Sequence, residues 1–220
     1  MTKRRRPQIS ARKQPQQARS TALVAAALKA AVQVLAKEGA QRFTMARVAE
    51  KAGVSIGSLY QYFPNKAAIL FRLQSDEWRQ TSDLLRDILE DDRRPPLERL
   101  RVLVHAFLRS ECEEASVRVA LSDAAPLYRD APESREAKSS GTQAVQIFLQ
   151  EVLPSASEAK RALAGELITT TLSAVGKQFS ESSRTAAEIE AYAEAVADML
   201  CAYVAALRIG TRHAKKSKTT

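Results

Sequence analysis

The sequence is poor in the residues that most catalytic and metal chemistry needs. It has two cysteines, Cys112 and Cys201, far apart and outside any CxxC or Cys/His cluster. They fit a reducing cytosol, where buried small hydrophobes are the plain reading. Histidine is as scarce, with two residues; none lies at metal spacing from His105, and no nucleophile motif is visible. The carboxylates do not cluster either. These absences argue against an enzyme and predict neither a metal site nor a cofactor.

Glycine and aromatic residues are also few, at 7 residues and 5%, whereas hydrophobic content is 45% and alanine and leucine abound. That balance predicts an all-α protein. No segment carries a dependable strand alternation, and no repeat of about 20–50 residues is visible, which argues against a helical array. No apolar run reaches the ~20 uninterrupted residues of a membrane span. The most apolar stretch, "ALVAAALKAAVQVLA", contains Lys29 and Gln33 and reads as an alanine-rich helix. "MTKRRRPQ" is not followed by the apolar region of an export signal, so a cytoplasmic location is expected.

Acid is missing from one end. Residues 1–37 hold nine basic residues and no Asp or Glu, and five more bases lie between Arg208 and Thr220. The net charge is +9, so the stretch between these ends carries a small acidic excess. Basic ends on an acidic body suggest a polyanion partner met through one end of the fold, although basic tails also serve solubility alone.

Along the chain, residues 1–18 read as a disordered basic arm. Ser20 is placed to cap a first helix, whose apolar positions repeat at helical spacing up to Gly39. A long helix is expected from Lys66 to about Glu90, stopped by "DDRRPP". Further helices are expected from Leu97 to about Glu111, then to about Leu121. "SDAAPLYRDAPES" reads as a loop, and another helix runs to Leu153. Two long helices follow, over about 157–180 and 186–208. The expected domains are the arm at 1–18, a helix-turn-helix head at 19–66, a helical body at 67–208 and a basic tail at 209–220, with about nine helices in all.

"FTMARVAEKAGVSIGSLYQYFPNKAAIL", Phe43 to Leu70, carries the function. Thr44 can cap one helix, with Phe43 and Val48 as its hydrophobic staple. The acid of a full capping box is absent, because Arg47 stands at that position. Gly53 supplies the positive φ of a sharp turn, and Ser55 caps the next helix with Val54 and Leu59 as a second staple. Asn65 caps the third. Ala49 permits close crossing, and Leu59 plugs the shared core. This is the helix-turn-helix plan, against the alternative of an ordinary helical hairpin. The outward face of the second helix offers Ser55, Ile56, Gly57, Ser58, Tyr60 and Gln61. Small side chains allow close approach to a groove; Gln61 can pair with adenine, Ile56 can touch a thymine methyl, and Tyr60 and Lys66 suit phosphates.

These residues resemble the DNA-binding domain of the TetR (tetracycline repressor-like) family of bacterial transcriptional regulators. The pattern "AGVS-x-G-x-LY-x-YF-x-NK" carries the resemblance, over roughly residues 20–70. It implies a three-helix head on a helical body, acting as a homodimer on a two-fold double-stranded DNA operator. Thr44 and Arg47 would contact backbone or groove edge; Ser55, Gly57, Ser58 and Gln61 would face bases or nearby phosphates; Tyr60, Tyr62 and Lys66 would grip phosphates. Two positions depart from the family pattern. Ile56 stands where a base is common, and Ala67–Ala68 where an acid is common, which leaves the operator sequence open.

The resemblance also implies an unidentified small-molecule effector bound in the body. Trp78, His105, Phe107, Tyr128 and Phe148 are candidate pocket residues, with ordinary core packing as the alternative for each. The last two helices read as the dimer contact through Leu163, Leu167, Thr171, Leu172 and Val175 on one and Ala195, Met199, Ala202, Tyr203 and Ala206 on the other. Completion of the monomer core is the alternative there. The expected function is a sequence-specific regulator, a repressor released from a palindromic operator by its effector. A transcriptional activator of the same family, an all-helical enzyme with a basic surface, and a nonspecific architectural DNA binder are the competing readings.

Overall fold

The computed structural model describes residues 9–11, 18–128 and 143–216, with side chains as far as Ile209. Among the described residues every regular element is helical. They are α1 (Ala18–Arg42), α2 (Met45–Ala52), α3 (Ile56–Tyr62), α4 (Lys66–Leu89), α5 (Pro96–Glu113), α6 (Ala115–Ala124), a 3₁₀ turn (Ala125–Leu127), α7 (143–152), α8 (Glu158–Ser180) and α9 (Ala186–Lys216). The all-α expectation holds.

The chain forms two compact units, one of Met1–Glu77 with Ser116–Ala137, the other of Trp78–Ala115 with Lys138–Thr220. The sequence places the boundary between head and body at 66/67. The structure divides the chain inside α4, and α6 returns to the first unit. A linear boundary misses this because α6 buries Ala120, Leu121 and Ala124 in the core that also holds α1–α3.

In the first unit, α1 faces that core with Val24, Ala27, Ala30, Ala31, Val34 and Leu35. By length and composition alone α1 could cross a membrane, at a mean hydropathy of 1.3. Its apolar stripe is instead taken up by the head core. Helix α1 begins before Ser20, with Ala18 and Arg19 already helical, so Ser20 is no cap; both are good helix formers. Gly39 breaks the helix at φ 73°, ψ 172°, and one more turn follows to Arg42. Within the expected arm, Ile9 is buried in the same core at 4% exposure. The basic residues of the arm lie outside the described residues.

The second unit packs α5, α7, α8 and α9 with the end of α4 around Leu100, Leu103, Phe148, Leu149, Ile168 and Val204. Gly176 lets α8 approach α5, since a Cβ there would meet Phe107 Cε1 and Glu111 Cγ at 2.9 Å. Arg99 is buried and holds the Leu89 carbonyl and the Glu151 carboxylate, with its guanidinium 5.6 Å from the Phe148 ring centre. Two arginines and a histidine spaced by four on α5 meet three acids spaced by four on α9. Arg101 pairs with Glu194 and, at 2.6 Å, with Asp198; His105 approaches Glu194 at 2.9 Å and Glu190 at 3.2 Å; Arg109 reaches Glu190 at 3.6 Å.

Two expectations about element ends change. The stretch from Ser122 reads as loop in sequence, yet α6 runs to Ala124 and the 3₁₀ turn follows, because Ala124 and Tyr128 are drawn into the first core; 129–134 lie outside the described residues. Helix α9 continues to Lys216, through much of the expected tail.

Candidate nucleic-acid interface

The recognition segment is built from three successive caps. Thr44 Oγ1 accepts the Arg47 amide at 3.3 Å and starts α2. Gly53 ends it at φ 67°, ψ 29°, the left-handed region that glycine enters without a Cβ penalty. The Gly53 amide donates to the Glu50 carbonyl at 3.1 Å and the Val54 amide to the Ala49 carbonyl at 3.0 Å, the paired bonds of a Schellman stop. Ser55 Oγ accepts the Ser58 amide at 3.0 Å and starts α3. Asn65 Oδ1 accepts the Ala68 amide at 3.0 Å and starts α4.

Packing then decides which way α3 faces. Leu59 is fully buried, Phe63 at the C-cap nearly so, and Tyr62 is half-buried against the same core. These positions share one side of a 3.6-residue helix, so the opposite side turns outward. Ile56 at 44%, Tyr60 at 40%, Gly57 and Gln61 are exposed there, with Ser55 beside them. Ser58 is half-buried, its hydroxyl 2.8 Å from that of Ser55. Thr44 is exposed at the start of α2, and Lys66 is half-buried at the start of α4. The structure thus gathers Ser55, Ile56, Gly57, Tyr60 and Gln61 on one face and turns Tyr62 toward the core.

Arg47 is engaged within the unit. Its Nη1 pairs with Glu38 Oε2 and donates to the Arg42 carbonyl at 3.4 Å, both on the last turns of α1. The pair lies on the wall of a polar cleft of ≈ 690 Å³ between α1 and α2, which Lys37, Glu50 and Lys51 also line. Sequence reading missed Glu38. The signal was there, since Glu38 is the first acid in the chain and stands beside the Gly39 break.

The five candidate effector residues fall in both units. Tyr128 belongs to the first unit, where its hydroxyl donates to the Leu121 carbonyl at 3.0 Å and burial pushes its pKa up. The other four fall in the second unit. Phe107 and Phe148 are buried in its core, and Trp78 is half-buried. His105 lies on the α5–α9 seam between two carboxylates.

The candidate dimer residues sort into two sets. Leu163 at 62%, Leu167 and Met199 at 51% are exposed, and Ala195, Ala202 and Ala206 are exposed with them. Leu172 is buried in the body core, Val175 and Tyr203 pack against it, and Thr171 is half-buried. The reading also missed Tyr192 and Ile209, exposed apolar residues that extend the α9 series at the same spacing.

Known proteins agree with this geometry. Residues 27–73 match the model of the tetR family of bacterial regulatory proteins, and residues 95–207 match that of the tetracyclin repressor-like C-terminal domain. The nucleoid occlusion factor SlmA of Vibrio campbellii is 38% identical over 82 residues, which is 37% of this chain and 41% of the relative. The chain therefore matches about two-fifths of that relative's length. Among solved structures, a TetR-family transcriptional regulator of Mesorhizobium loti superposes with a TM-score of 0.68 at 16% identity, covering 85% of this chain and 98% of the other. The fatty acid degradation regulator FadR of Bacillus halodurans gives 0.64 at 20%, covering 86% and 97%. FadR of Bacillus subtilis, solved with stearoyl-CoA, gives 0.65 at 18%, covering 81% and 97%. With its C-terminal match alone spanning half its length and the helix-turn-helix matched beside it, the chain belongs to the TetR family of DNA-binding bacterial transcriptional regulators.

Proposed function

We propose that the protein is a cytoplasmic repressor that binds a palindromic operator as a homodimer and is released by a small-molecule effector. The observation that carries the reading is the outward face of α3, where Ser55, Ile56, Gly57, Tyr60 and Gln61 stand clear of the core while Leu59 and Phe63 anchor the helix. Gln61 offers a bidentate partner for adenine, and Ile56 an apolar surface for a thymine methyl. Thr44, Tyr60 and Lys66 set register through phosphates, with Ser55 and Ser58 at the groove edge. Tyr62 supports the helix from inside and is removed from the contact set.

One short helix reads too few base pairs for selectivity, which motivates the dimer. The exposed apolar series on α8 and α9, Leu163, Leu167, Tyr192, Met199 and Ile209 with the intervening alanines, is the surface we assign to the partner copy. Two such subunits meet successive major grooves about 34 Å apart. An effector acts by favouring a body conformation in which the two α3 helices no longer match that spacing. Long-chain acyl-CoA is the first ligand to try, given the stearoyl-CoA in the Bacillus subtilis neighbour.

The test is binding of the full chain to the duplex upstream of its own gene, in competition with a scrambled duplex. Strong preference for the natural sequence, lost in Gln61→Ala, supports the operator reading. Equal affinity for both duplexes favours an architectural binder and overturns it.

A further inference from the structure

An arginine at the DNA-facing end of α2 invites assignment as a phosphate contact, and its partners argue otherwise. Arg47 stands at the third position of α2, where a glutamate would close the capping box. It extends instead to α1, pairing with Glu38 and donating to the Arg42 carbonyl. These two partners flank Gly39, whose φ of 73° interrupts α1. One side chain therefore ties both sides of the break to the first turn of α2. The Arg42 carbonyl lies in the last turn of α1, where carbonyls have no partner within the helix and the dipole favours a cation. The pair is also partly screened from water, with side-chain exposures of 38% for Arg47 and 25% for Glu38.

Both contacts are made by Nη1, and the Glu38 carboxylate already balances the charge of the guanidinium. An arginine so neutralised adds little to the charge that a phosphate meets and releases little net counterion. We infer that Arg47 and Glu38 form a brace that sets the angle of α2, and through the Gly53 turn that of α3, and that Arg47 is a positioning residue for DNA binding. The consequence runs against simple electrostatics. Removing the acid Glu38 from a DNA-binding head weakens DNA binding.

This rests on the DNA-binding reading, so the experiment separates the two. Affinity of the full chain for the upstream duplex is measured against salt for the wild type, Glu38→Gln, Arg47→Gln, the double variant and Lys66→Gln. Each single variant at the brace is expected to lose about fivefold at fixed salt, the range of a partly exposed ion pair. The double is expected to lose no more than either, and all three to keep the wild-type salt slope. Lys66→Gln, as the phosphate reference, is expected to lower the slope by ~0.9. A slope lowered by ~0.9 in Arg47→Gln, together with tighter binding by Glu38→Gln, overturns the brace. A double-mutant cycle on the thermal unfolding midpoint reads the pair without DNA, and zero coupling overturns the brace whatever the duplex does. A wild type that ignores the duplex overturns the DNA-binding reading alone.

Discussion

Two helices in this molecule start from the same residue and solve the start differently. In α9, Thr185 Oγ1 accepts the Glu188 amide at 3.2 Å, and Glu188 Oε2 accepts the Thr185 amide at 2.7 Å. That capping box is closed within four residues. The turn before it is closed locally too, by Arg184 donating to the Phe179 carbonyl at 3.1 Å and by Phe179 stacking on Tyr192 at 4.0 Å. In α2, Thr44 makes its half of the box, but position three is Arg47, whose side chain leaves the helix for α1. A body helix can begin self-contained, because its position is fixed by a long buried face. The eight-residue α2 has no such length and takes its orientation from a neighbour.

Breaking the head at its staple should have the largest effect. Phe43 is fully buried beside Met45 and Val48, and Phe43→Ala is expected to destabilise by about 3–5 kcal/mol, read as a lowered unfolding midpoint with loss of DNA binding. Gly53→Ala is expected to lose about 1–2 kcal/mol, because an L side chain must hold φ 67° there. Space is not the obstacle, since a Cβ at Gly53 meets nothing within 4 Å, whereas Gly176→Ala in the body would be opposed by contact with Phe107. Removing the capping hydroxyls sharpens the contrast: Thr44→Ala and Thr185→Ala should each lose about 1 kcal/mol of stability, and only Thr44→Ala should also weaken DNA binding. Paired thermal and DNA-binding measurements on the two variants check this.

The smallest effect is in acid. The Thr185 amide and then its hydroxyl hold the Glu188 carboxyl below its usual pKa. A lowered folded pKa means that the stabilisation is present above the ordinary glutamate value and is lost as pH falls through the folded one. Glu188→Gln should therefore narrow the stability gap between neutral and acid solution, measured as unfolding midpoints across that window.

The features legible in the sequence were those that local chemistry specifies. Thr44, Ser55 and Asn65 cap because a short polar side chain reaches amides two or three residues on, and Gly53 turns because only glycine takes that φ without strain. What was not legible depends on partners distant in the chain. Glu38 and Arg47 meet across a break, α6 joins the first core rather than the second, and Tyr128 donates to the Leu121 carbonyl within the first unit. His105 looked like a core residue in an apolar run. The four-residue spacing of Arg101, His105 and Arg109, repeated by Glu190, Glu194 and Asp198, was the signal that would have placed it.

That matched spacing works as a vernier between α5 and α9. Four residues of helix advance about 6 Å. A slip by this distance in either direction still leaves two of the three basic residues facing acids. Arg101 and His105 each already span two acids one turn apart, so a shorter slip of α9 along α5 would trade one acid for the next without emptying the seam.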